Sequence, residues 1–132
     1  MEIYEADPRA VVRFLPGDLA AILLFVLAGT ISHGSLTPNR YAGVLLPFLV
    51  GWFVVSPLAG GYDETVLDST RAALGYAAAS WVGADFLAQV LRGTVYFPGN
   101  ADPQFFLVAL LVGGVFLVAA RFATLVVVDL AY

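Results

Sequence analysis

The chain has 132 residues, 61% of them hydrophobic and only 12% charged, with a net charge of −4. A soluble domain carries about 25% charged residues, and one this small has too little interior to hide so much apolar surface, so burial in lipid is the economical expectation. The six basic residues are all arginine and form no cluster, which excludes nucleic acid as a partner, and the lack of cysteine excludes disulfides and thiol chemistry.

The opening stretch, MEIYEADPRAVVRFLPGD, is acidic first and has no leading basic cluster, which argues against a cleaved signal peptide. Residues 1–17 read as a short cytoplasmic or interfacial segment. DLAAILLFVLAGTISH then predicts a first span over about 18–34, with His33, the lone histidine, at its far end. YAGVLLPFLVGWFVVSPLAG predicts a second over about 41–59, and Pro47 between Gly43 and Gly51 predicts a kink in it. The loop PLAGGYDETVLDST carries helix-stopping glycines, and Asp68 or Ser69 can cap the next helix. A third span over about 69–92 is interrupted by Asp85. The fourth, about 104–128, follows Asp102-Pro103, which reads as a cap with proline in the first turn.

Crossing a bilayer core takes about 20 mainly apolar residues. The second and fourth runs qualify outright. The first is short and the third interrupted, and their flanking spans decide for them. No run alternates at period two, so strands are a poor reading. The expectation is all-α: a polytopic membrane protein whose residues 1–132 form one domain of four transmembrane helices in an antiparallel bundle. Both termini then share a side. Arg9, Arg13, Arg71 and Arg121 stand on it against Arg40 and Arg92 opposite, which puts the termini in the cytoplasm of a multi-pass plasma-membrane protein.

A helix turns about 100° per residue, so spacing fixes faces. Arg71, Asp85, Gln89 and Arg92 fall in one fan of the third helix, with Trp81. Beside it runs a strip of Gly75, Ala79 and Gly83, whose spacing suits close helix packing or self-association. Asp18 shares a face of the first helix with Phe25, Gly29 and His33, and Gly114 shares one of the fourth with Arg121. Depth along the helices groups Asp18 with Arg121 in an inner layer, and His33 with Asp85, Gln89 and Arg92 in an outer one, with a hydrogen bond expected from His33 to Asp85. Near a helix start, Asp18 reads first as a first-turn acid favoured by the helix dipole. Asp85 is open between a proton or substrate site and an intrahelical partner of Gln89 or Arg92.

Asp18, Ser32-His33-Gly34, Pro47-Phe48, Gly51-Trp52, Leu91-Arg92 and Arg121 together resemble the small membrane proteins grouped as domain of unknown function 3054, found in archaea and bacteria. Members of that group often carry tryptophan before the late arginine, where this chain has Ala120. The resemblance implies a four-helix integral membrane protein and supplies no activity. Acidic excess without lysine also suits a salt-loving organism.

No nucleophile, nucleotide or metal motif is visible, so no enzyme, cofactor or metal is expected. A single histidine without cysteine is a poor metal donor set. The leading expectation is a structural or accessory membrane component. The alternative is a small oligomeric transporter or proton-coupled exporter using Asp85, His33, Asp18 and Arg121. Partners would be the lipid bilayer and copies of the chain or other membrane subunits.

Overall fold

The computed structural model describes residues 4–34, 36–97 and 103–131, with side chains described to Val128. Asp102 therefore lies outside the described residues. Four long helices occur: α1, Pro8–Ser32; α2, Pro38–Leu58; α3, Thr70–Arg92; and α4, Pro103–Ala131. A 3₁₀ turn, Glu64–Leu67, precedes α3.

Local sequence sets the helix ends. Asp7 caps α1 by accepting from the Arg9 N–H at 2.9 Å, and Pro8 stands at the first helical position. Thr37 and Ser69 cap α2 and α3 in the same way, each with its side-chain oxygen accepting from the N–H three residues on. Gly60, at φ +86°, takes the left-handed conformation that turns the chain after α2.

α1 starts at Pro8, not near residue 18, so residues 8–17 are helical. The capped Asp7-Pro8 start lets the helix run on through Pro16, which lacks an N–H to give to the preceding turn. Asp18 is consequently in mid-helix, and its reading as a first-turn acid does not hold.

α1 packs on α4 and α2, and α3 packs on α2 and α4. No close backbone contact joins the diagonal pairs α1–α3 and α2–α4 among the described residues. The bundle is thus a square in chain order. Three helices are long and apolar enough to cross a membrane: α1, α2 and the described part of α4. Three such helices suggest a membrane protein.

The centre is aromatic. Trp81 stacks on Phe48 with ring centroids 5.5 Å apart and meets Phe25 edge-on at 5.8 Å. Its indole N–H donates to the Ala109 carbonyl at 2.9 Å, so no polar handle is stranded. A Cβ at Gly113 would lie 2.3 Å from that indole ring, so only glycine admits it. Gly51 does the same service between α2 and α3: a Cβ there would come 2.4 Å from the Ala84 carbonyl oxygen.

The expected packing strip fares differently. Gly83 faces Val55, which its missing Cβ would meet at 2.6 Å. Gly75 and Gly29 have nothing within 4 Å of that position, and Ala79 is exposed. The inward strip of α3 is instead Ala73, Ala77, Ser80, Ala84 and Ala88, all buried. Gly114 makes an ordinary contact with Trp81 at 3.5 Å.

Candidate functional site

Asp18 and Arg121 meet in the half of the bundle where α1 begins and α4 finishes. Both are fully buried. The guanidinium grips the carboxylate with two parallel bonds, Nε to Oδ1 at 3.0 Å and Nη2 to Oδ2 at 2.9 Å. It also donates to the Ala73 carbonyl of α3 and the Gly61 carbonyl of the α2–α3 loop, each at 2.9 Å. Its flat face lies 4.7 Å from the centre of the Phe14 ring.

Tyr62 completes the set. Its hydroxyl donates to Asp18 Oδ2 and accepts from the Trp52 indole N–H at 2.9 Å, which brings in α2. Burial, and then the neighbouring Asp18 charge, hold its ionisation well above the usual tyrosine range, so it stays a donor. One network therefore ties all four helices and the loop. Periodicity did not reach Tyr62, because a loop broken by Gly60 and Gly61 has no face to count.

The remaining polar residues do not join that network. Asp85 and Gln89 sit a turn apart on the buried face of α3, and the Gln89 amide donates to Asp85 Oδ1 at 3.2 Å. Asp85 Oδ2 and Gln89 Oε1 have no hydrogen-bond partner among the described residues. Arg92, also buried, lays its guanidinium 4.5 Å from the centre of the Phe105 ring. Arg71 is exposed and apart from them.

His33 ends α1 as an exposed C-cap, its backbone N–H donating to the Gly29 carbonyl at 3.1 Å. No hydrogen bond joins it to Asp85, contrary to expectation. The two helices are diagonal, and Asp85 lies about 10 Å down α3 from Arg92. His33 instead lines a cavity of about 490 Å³ at the end of the bundle where α1 finishes, with Arg40, Arg92 and Gln104.

Two other features bear on chemistry. The end of the bundle where α1 begins carries an acidic groove, but its Asp7 and Asp63 are engaged as helix caps. Bonds from Arg9 and Thr65 respectively hold these carboxyls below the usual range. Among the described residues no three metal-ligating side chains converge.

Residues 15–124 match the family described as Protein of unknown function (DUF3054). The chain belongs to that family. In this DUF3054 protein the matched stretch takes in both the Asp18–Arg121 pair and the residues of the cavity beside His33. No curated protein and no solved structure matches the chain.

Proposed function

We propose that the chain is a structural or accessory component of the plasma membrane: a four-span bundle with both termini cytoplasmic, working beside copies of itself or other subunits and catalysing nothing itself. The buried network carries this reading. Arg121 commits four hydrogen bonds to fixed partners, and Asp18 is held by Arg121 and Tyr62. Groups so committed fix helix register; they are poorly placed to release a proton or cargo. The aromatic layer around Trp81 supports the same reading, since it stands between the inner network and the outer cavity.

α3 supplies the fourth span. Its average hydropathy is lowered by side chains that lipid would not meet. Ser80, Asp85, Gln89 and Arg92 are buried in the bundle, whereas Ala78, Ala79, Val82, Phe86 and Val90 face outward. An apolar exterior over a polar interior is the pattern for a helix in a bundle within lipid. Cysteines introduced at the exposed Leu36 and Val95 should react with an impermeant maleimide in intact cells, and one at Glu64 should not. Labelling of Glu64 and Val95 from the same side would remove α3 as a span.

The unpartnered Asp85 oxygen favours a second reading, a small transporter, since an acid inside a span marks a functional site by default. Four spans enclose little space, so transport would need an oligomer. Asp85→Asn separates the two. The accessory reading expects unchanged particle mass and copurifying proteins in mild detergent. The transporter reading expects a pH-dependent flux that the variant abolishes.

A further inference from the structure

α1 and α4 together form a groove of about 670 Å³. It runs along α1 from Arg13 to Leu24 and along α4 from Phe116 to Val128. The two helices meet closely within it, since a Cβ on Gly17 would lie 2.9 Å from Thr124 Oγ1. Its lining is apolar, with Leu24, Phe116 and Val127 on it, and Thr124 donates its hydroxyl to the Ala120 carbonyl of its own helix. Arg13 is the one charged residue of the lining among the described residues, and it stands at the end where α1 begins.

Length and charge indicate what fits there. Arg13 and Leu24 are separated by about 16 Å along the helix axis. Half of a bilayer's hydrocarbon core is about 15 Å. The groove is therefore one leaflet deep, with its cation at the headgroup end and Leu24 and Phe116 near the midplane. A lipid chain has that reach, whereas a partner's spanning helix would need a face running through both leaflets. Arg13 is exposed, and no ion pair engages it among the described residues. A second copy seated here would share an axis along the membrane normal and so bring its own Arg13 to the same depth, with no carboxylate in the described lining to separate the two charges. A phosphate complements Arg13 where another arginine opposes it.

We propose that this groove holds an acyl chain of an anionic phospholipid, with the lipid phosphate at Arg13. The proposal rests on α1 and α4 crossing the bilayer. The full chain is placed in nanodiscs of equal phosphatidylcholine and phosphatidylglycerol, and the lipid it retains on release is weighed by native mass spectrometry. Phosphatidylglycerol should be kept over phosphatidylcholine by about fivefold, the attraction of one basic side chain for an anionic headgroup layer. Arg13→Gln should still retain lipid but lose the preference. Ala20→Leu/Ala123→Leu fills the groove and should lose the lipid itself; all three positions are exposed, so the variants keep the fold. Equal retention of the two lipids by the unaltered chain, a preference that Arg13→Gln keeps, or lipid held by the filled groove would overturn the proposal. So would a two-chain mass that filling the groove reduces to one, which would make a second copy the occupant. The cysteine-labelling pattern reads the spans without involving the groove, so failure of the spans and failure of the lipid site are distinguishable.

Discussion

Arg121→Met should cost on the order of 3–5 kcal/mol of stability in detergent or bicelles, the loss expected when one partner of a buried ion pair is removed. Methionine fills a similar volume, so the effect is electrostatic rather than a cavity. Asp18 would keep only Tyr62 as a donor, and the Ala73 and Gly61 carbonyls would each lose a bond. Asp18→Leu should be costly for the mirror reason, because it leaves a buried guanidinium without its counter-charge. Combining the two removes both charges, so the double variant should lose clearly less than the sum of the singles. Unfolding curves for the four proteins decide it. Strict additivity, or a loss for Arg121→Met below about 1 kcal/mol, would mean that the pair is solvated and the network does not hold the bundle.

Gly51→Ala should destabilise by about 1–3 kcal/mol, as overpacking does, although alanine is the better helix former by about 1 kcal/mol. The new methyl would lie 2.4 Å from the Ala84 carbonyl oxygen and 3.1 Å from its carbon. Those are backbone atoms, so no rotamer can yield and α2 must move off α3. Gly75→Ala is the control of opposite sign. Nothing lies within 4 Å of its Cβ position, and the helix should gain about 0.5–1 kcal/mol. Both variants are read by the same thermal melt. Gains at both sites would show that α2 and α3 are farther apart than this packing requires.

The polar faces were legible from spacing because a one-sided stripe on a helix in an apolar chain has one place to go. Asp18 and Arg121 could be paired from helix direction and depth alone. The small-residue strip was not decidable in that way. α3 carries two, Gly75-Ala79-Gly83 and Ala73-Ala77-Ser80-Ala84, and spacing is equally good on each. Only the neighbour decides, and it is Ala84 that faces Gly51. The start of α1 was missed because Pro16-Gly17 looks like a boundary, whereas the cap at Asp7 is what sets it. His33 and Asp85 were grouped by depth, but depth is blind to diagonals, and α1 and α3 stand across the square from each other.

The buried pair also has a history within each molecule's synthesis. Asp18 and Arg121 lie 103 positions apart, on the first of the four helices and the last. A growing chain makes the acid early and its counter-ion late. Until α4 is in place, Asp18 has no cation to meet, and a carboxylate left so in a nonpolar surrounding is costly. A truncated or mis-inserted product therefore bears a chemical mark that the finished molecule lacks. Insertion of α4 supplies Arg121 and removes that cost.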